Sequence, residues 1–222
     1  MSMQAVLSRG IADAGWDVLG PVQTQLMAYL ALMQKWNKVH NLTAIRDPED
    51  MVVLHLLDSL SVLPHVQKLA PARLLDVGSG AGLPGIVLAL CMPDMQVTAI
   101  DAVQKKASFM RQAKAELKID NLTVVSGRVE DYQPAAQFDA VISRAFSELA
   151  LFVKLTHHLI ASNGVWLAMK GVIPKEELQQ LAEQPSRIEA LNVPGLEAHR
   201  HLIVIPATNR ESPNSIQMSK TA

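Results

Sequence analysis

Four glycines fall within the eight residues "GSGAGLPG" (78–85), directly after the apolar run "RLLDV" and directly before the apolar "IVLALC". A loop of this composition lets a ligand come very close to the backbone. Three chemistries compete for it: a dinucleotide, a nucleoside triphosphate, or another adenosine-bearing cofactor. From Gly80 the stretch "GAGLPG" satisfies the G-x-G-x-x-G dinucleotide pattern, which is weak support on its own. The same residues also begin like the G-x-x-x-x-G of a P-loop, but Ile86 stands where that loop needs its lysine. The triphosphate reading therefore falls away.

Two carboxylates separate the remaining candidates. Asp76 sits at the end of the preceding strand, two residues before Gly78. A pyrophosphate wants backbone N–H donors and positive potential, so an acid at that point would repel it. S-adenosylmethionine carries a sulfonium and an α-ammonium group and no phosphate, and would be attracted by the same acid. The second carboxylate, Asp101, ends the next strand "VTAID", where an acid accepts hydrogen bonds from ribose hydroxyls of either cofactor. A dehydrogenase also needs a substrate domain after its nucleotide domain, and the sequence offers none. S-adenosylmethionine is thus the expected cofactor, and S-adenosylhomocysteine its product. Gly78, Gly80 and Gly82 are then the positions of close approach, and Leu83 opens the following helix.

These residues need elements to hold them. Val22, Leu26, Tyr29, Leu30, Met33 and Trp36 recur at helical spacing and predict a helix over 20–38 whose stripe packs against the rest of the molecule. In "DPEDMVVLHLLDSLSVL", Asp47 is placed to cap a helix with Pro48 in its first position, and Pro64 is expected to end it. From residue 72 strand and helix alternate. Strands are expected at "RLLDV", "QVTAID", "LTVVSG", "FDAVISR" and "VWLAMKG", with helices over 83–92, 103–118, 148–161 and 174–184 and a turn at Asn163-Gly164. That alternation predicts a mostly parallel sheet covered by helices on both faces. Only "PGLEA" separates "RIEALNV" from "HRHLIVIP", too little for a helical crossover, so these last two strands should pair antiparallel. The expected division is a helical extension at 1–70, an α/β domain at 71–206 and a polar, mobile tail at 207–222.

Composition limits the class. Hydrophobic residues make up 49% and charged residues 18% of the 222, the profile of a folded globular chain and not of a disordered one. The first residues lack the basic start and apolar block of a secretory signal, and no apolar run is long enough to span a bilayer. A single cysteine, Cys91, excludes an intrachain disulfide framework and fits a reducing, cytoplasmic setting. The net charge of -1 argues against nucleic-acid binding by bulk charge. Local basic clusters would have to do it, and there are two: Lys35, Lys38, His40 and Arg46, then Lys105, Lys106, Arg111, Lys114 and Lys118. Either cluster is equally well a solvated helix face.

Taken together, "WNKVHNLTAIRDPEDMVVLHLLDSL", "LLDVGSGAGLPGIVLAL", "VISRAFSEL" and "LAMKG" resemble the bacterial small-subunit ribosomal RNA guanine-N7 methyltransferase G family, also called glucose-inhibited division protein B. The resemblance covers roughly residues 20 to 206. It implies a class I S-adenosylmethionine-dependent methyltransferase fold, Rossmann-like with an antiparallel last strand, and an N-terminal helical extension. It further implies methylation of a guanine N7 in 16S rRNA, within the small ribosomal subunit or its precursor. By the same resemblance cofactor contacts fall on Gly78, Leu83, the Val129-Glu130 pair and Arg144, with a backbone N–H of that pair reaching the adenine. One departure is Leu54, where the family is expected to carry a basic residue before the histidine of "HLLDS".

Guanine N7 has an exposed lone pair and no proton, so its methylation requires alignment and no base, and no residue is assigned as a catalytic acid or base. The sequence agrees in what it lacks: "SRAF" follows the fourth strand in place of the Asn/Asp-Pro-Pro-aromatic loop that grips an exocyclic amine. Cys91 lies outside any proline-cysteine loop and reads as a small buried hydrophobe. Positioning candidates are Arg144, for a cofactor carboxylate or an RNA phosphate with a structural ion pair as its alternative, Lys170 for RNA, and Asn41, whose alternative is to cap a turn. Phe146 is a candidate to stack on the guanine, though packing suits it as well. No histidine has metal-ligand spacing, and no metal is expected; a monomer suffices. Two rival functions stay open on the residues alone: a methyltransferase of proteins or small molecules, and a noncatalytic, cofactor-sensing ribosome assembly factor.

Overall fold

A computed structural model of the chain describes residues 1–144, 146, 148–181, 185 and 187–207. The expected tail lies outside the described residues from position 208 onward. Two helices come first, α1 (Met3–Ala14) and α2 (Gly20–His40), followed by Asp47, whose carboxylate accepts from the amides of Glu49 and Asp50 at 2.9 and 3.0 Å. This is the cap that the sequence predicts, and it satisfies two of the amides a helix start leaves without partners. The capped run comprises α3 (Pro48–Met51), a π-helical stretch Val52–Leu57 and α4 (Asp58–Leu60). Pro64 stands in the first turn of the next helix, α5 (Leu63–Leu69), so it opens a helix where it was expected to close one. A proline at that position loses no hydrogen bond, because its missing N–H is one the helix start would leave unused.

Seven strands then form one sheet: β1 (Arg73–Val77), β2 (Gln96–Asp101), β3 (Leu122–Ser126), β4 (Phe138–Ser143), β5 (Ile160–Lys170), β6 (Arg187–Ala190) and β7 (His201–Pro206), in the order β3-β2-β1-β4-β5-β7-β6. The first five are parallel; β7 inserts antiparallel between β5 and β6. Helices α6 (Gly85–Cys91), α7 (Gln104–Leu117), α8 (Leu149–Thr156) and α9 (Lys175–Gln180) connect the strands. Helix α6 starts at Gly85, not at Leu83, and α8 ends at Thr156 in a short 3-10 turn instead of reaching 161. Asn163-Gly164 is no turn: β5 begins at Ile160 and runs through the pair, while its register against β4 slips between Phe138 and Ala140. The extra residues are absorbed as an irregularity within the strand.

Strand alternation sorts the core into two layers. Leu74, Val97, Ala99, Ala140, Ile142, Leu167, Met169, Leu202 and Val204 face a cluster shared with α1, α2, α6 and α7. Their neighbours Leu75, Val77, Ile100, Val141, Trp166, Ala168, Ile203 and Ile205 face a second cluster with Phe152 and Val153 of α8. Burying both faces is what makes these strands read as near-continuous apolar runs. Each large side chain so buried contributes about 1.5–3 kcal/mol. Among the described residues no helix is long and apolar enough to cross a membrane.

Candidate active site

Strand order reverses on either side of β1, and the carboxyl ends of the parallel strands open there, the place where ligands bind in sheets of this kind. Two cavities occupy that edge. The first, of about 310 Å³, lies over the ends of β1, β2 and β3 and is lined by residues that include Val77, Gly78, Asp101, Gly127, Val129 and Glu130, with Phe146 and Leu155 closing its apolar side. The second, of about 450 Å³, lies over the ends of β4 and β5 and the start of β7, and is lined by Leu54, His55, Asp58, Arg144, Lys170 and Arg200 among others.

The glycine loop is built by local hydrogen bonds. The amides of Gly78 and Ser79 donate to the Ile100 carbonyl at 2.9 and 3.2 Å, which folds the end of β1 against β2. Gly82 and Leu83 then donate to the Ser79 carbonyl at 2.8 and 2.9 Å. Gly78 has φ +65°, and a Cβ built on it meets nothing within 4 Å, so a side chain there would enter open space at the cavity wall. Gly82 is glycine for a different reason. At φ +92° its Cβ would stand 2.4 Å from Ile86 Cδ1, so it serves close packing of loop on helix. Helix α2 helps to hold this loop: the buried Tyr29 hydroxyl donates to the Ala81 carbonyl at 2.6 Å, and burial raises the Tyr29 pKa well above the ordinary phenol range.

Asp101 reaches the first cavity while already engaged. Its Oδ2 accepts from the Gly80 amide and its Oδ1 from the Val103 amide, both at 2.8 Å. Each carboxylate oxygen has a second lone pair, so the group can still accept from a ligand hydroxyl. Glu130 is bonded to Arg128 through Nε at 2.7 Å, which compensates the one cation among the described lining residues. A cavity with two carboxylates, one neutralised arginine and apolar walls suits an adenosine with a cationic centre better than a phosphate chain.

Asp76 does not stand where the sequence argument put it. Alternation turns its side chain to the same face as Leu74, beneath α6, and it is fully buried behind the glycine loop and absent from the cavity lining. Its Oδ2 accepts from the Gly85 amide at 2.8 Å, while Oδ1 has no protein partner. Burial pushes its pKa up to about 6, against the opposing bond from Gly85. Leu83 is likewise buried, and Gly80, Gly82 and Leu83 all lie outside the lining, so the structure gathers Gly78, Asp101, Val129 and Glu130 in the first cavity and leaves five expected contacts out of it: Asp76, Gly80, Gly82, Leu83 and Arg144.

Arg144 belongs to the second cavity. Its Nη1 donates to the Leu54 carbonyl at 3.0 Å and to Asp58 Oδ2 at 3.1 Å. Lys170 lines the same space, and its ammonium donates to Glu177 at 3.0 Å and to the Phe146 carbonyl at 3.1 Å. Asn41 is not brought to them; it ends α2 in the left-handed region at φ +48° and accepts from Arg46, the turn-capping role held open for it. Phe146 packs on Phe152 at 5.3 Å between ring centres and lines the first cavity, which favours packing over stacking on a base. Burial pushes the Cys91 thiol up to about 12, so it is an inert hydrophobe. Among the described residues no group of three or more His, Cys, Asp or Glu could hold a metal ion.

Sequence reasoning missed Asp58, Arg200 and His55 of the second cavity. Asp58 is 86 residues from Arg144 and 142 from Arg200, and no spacing rule reaches across such distances. The one available signal was weak, a carboxylate in the middle of an otherwise apolar helix.

A family model described as rRNA small subunit methyltransferase G matches residues 22–203. The Ribosomal RNA small subunit methyltransferase G of Methylobacillus flagellatus is 69% identical over 205 residues, spanning 92% of this chain and 98% of that protein. Its namesake from Burkholderia ambifaria is 55% identical, spanning 91% and 92%, and that from Neisseria meningitidis serogroup B is 48% identical, spanning 92% and 99%. Among solved structures, the O-methyltransferase TomG from Streptomyces achromogenes in complex with SAM aligns at TM-score 0.60 and 14% identity, over 94% of this chain and 100% of its own. Cofactor-bound Rv0187 from MTB aligns at TM-score 0.60 and 17% identity, over 84% and 91%. At such identities these structures speak for the fold alone. Fold, loop and sequence kinship agree, and the chain belongs to the rRNA small subunit methyltransferase G family.

Proposed function

We propose that the chain transfers a methyl group from S-adenosylmethionine to N7 of a guanine in 16S rRNA, with the small ribosomal subunit or its precursor as substrate. The observation that carries this reading is the pairing of two unlike cavities on one sheet edge, one acidic and apolar, the other lined by Arg144, Lys170 and Arg200. In the first cavity Gly78 gives the cofactor room, the Asp101 carboxylate accepts from its ribose, and Val129 and Glu130 offer backbone to its adenine. S-adenosylmethionine bound there supplies an electrophilic methyl on sulfur. In the second cavity the three cations attract the RNA backbone and orient the base. Because N7 carries no proton, these residues have only to align the lone pair with the donor, a contribution of about 7–11 kcal/mol. Residues 1–70 serve in this reading as a helical extension of the methyltransferase domain at 71–206, and the protein works as a monomer in the cytoplasm.

The test is incubation with radiolabelled S-adenosylmethionine and, separately, small subunits, naked 16S rRNA and a protein extract. Label in RNA that becomes cleavable by aniline after reduction, at one guanine, is the expected result. Label confined to protein would favour a protein methyltransferase, and cofactor binding without transfer would favour an assembly factor.

A further inference from the structure

The second cavity holds a carboxylate shared between two arginines. Asp58 is buried, 3% exposed, and its two carboxylate oxygens are divided between two arginines: Oδ2 accepts from Arg144 Nη1 at 3.1 Å and Oδ1 from Arg200 Nε at 3.0 Å. Arg144 follows β4 and Arg200 precedes β7, so the two cations come from different strands, while Asp58 comes from the helical layer. We propose that Asp58 is a positioning residue for methyl transfer, holding Arg144 and Arg200 as one fixed pair of guanidiniums against the RNA.

Three observations support the assignment. The first concerns donors. A guanidinium has five N–H donors; Asp58 and the Leu54 carbonyl take those of Arg144 Nη1, and Asp58 and the His199 carbonyl take two from Arg200. Each arginine is therefore oriented by the protein yet keeps donors for a phosphate or a base oxygen. The second is the local backbone. The π-helical stretch Val52–Leu57 sends the Asp58 amide to the Val53 and His55 carbonyls, and the Leu54 carbonyl, the usual α-helical acceptor for that amide, instead receives Arg144. Wide turns of this kind are frequent at functional sites. The third is energetic. A carboxylate buried between two half-buried guanidiniums is a poor way to stabilise a fold, since apolar replacements often do as well or better, but it fixes the direction of both side chains. Without a carboxylate between them, the two guanidiniums would repel each other across the cavity.

This inference rests on the proposed RNA substrate, and the experiment separates the two. Transfer to small subunits or 16S rRNA is measured for the wild-type chain, Asp58→Asn, Asp58→Glu, Arg200→Lys, Arg200→Gln and the Asp58→Asn/Arg200→Gln double variant, alongside calorimetric binding of S-adenosylhomocysteine. Asp58→Asn is expected to lower kcat at least tenfold while S-adenosylhomocysteine affinity stays within twofold, and Asp58→Glu to recover part of the loss. The double variant should lose less than the product of the two single losses, because both changes sever the Asp58–Arg200 contact. Should Asp58→Asn fail to fold, Arg200→Lys probes the same contact from its solvent-facing side and should slow transfer at least tenfold with cofactor affinity intact. Wild-type turnover in Asp58→Asn or in Arg200→Lys, or losses that multiply in the double variant, would overturn the positioning role alone. Failure of the wild-type chain to label RNA would overturn the proposed function and this inference with it.

Discussion

His55 gives the structure a pH dependence that can be worked through. The residue is 4% exposed, its Nε2 lies 3.1 Å from the Thr43 hydroxyl, and its Nδ1 has no partner. Burial, reinforced by the nearby Arg144 charge, lowers its pKa from 6.5 to about 4. A base whose pKa is depressed on folding contributes stability that is present above its unfolded value and lost as pH falls through the folded one. At pH 5 the unfolded chain holds this proton almost fully and the native chain about one time in ten, which amounts to a loss of about 2 kcal/mol; at pH 4 the loss is about 3 kcal/mol. His55→Gln keeps similar size and a polar tip but does not titrate. The measurement is urea unfolding of both proteins at pH 7 and pH 5, followed by tryptophan fluorescence, with the stability difference taken at each pH so that other titrating groups cancel. The wild-type protein should lose about 2 kcal/mol relative to the variant on going from pH 7 to pH 5. A difference that does not change with pH, or a His55 ring resonance titrating near 6.5, would refute the claim that this imidazole is held neutral by its surroundings.

Asp76 should behave in the opposite sense: its pKa is raised from 3.8 to about 6, so stability is present below 3.8 and lost as pH rises through 6. Measured against Asp76→Asn, the wild-type protein should lose about 2 kcal/mol between pH 4.5 and pH 7 in the same unfolding assay. Gly82→Ala, which forces a Cβ to 2.4 Å from Ile86 Cδ1 at φ +92°, is expected to cost about 1–3 kcal/mol, read as a lower urea midpoint. Asp101→Ala removes a charged acceptor of two hydroxyls at about 1.5–3 kcal/mol each, and should weaken S-adenosylhomocysteine binding by at least about 100-fold by calorimetry. Lys170→Ala should leave that affinity unchanged but weaken RNA binding and lower its salt slope by about 1, as measured by filter retention across a salt series.

The legible part of this molecule was the part encoded at short range. Short apolar runs alternating with helical segments marked all seven strands, Asp47-Pro48 marked a helix start, and five residues between the last strands dictated an antiparallel pair. The glycine loop was legible as a tight turn at the strand end, where Gly78 lines the first cavity, but not the packing on Ile86 that Gly82 serves. Alternation, equally local, would have turned Asp76 beneath α6, yet its place at a strand end was read as proximity to the ligand. Only the tertiary structure brought Asp58 between Arg144 and Arg200, widened the helix at Val52–Leu57 and set Tyr29 against the Ala81 carbonyl. These contacts join residues separated by 52 to 142 positions, and their energies depend on burial and on which elements pack together. Periodicity and caps are set by neighbours a few residues apart and survive in the one-dimensional string; the partners of a buried charge are chosen only when the layers close.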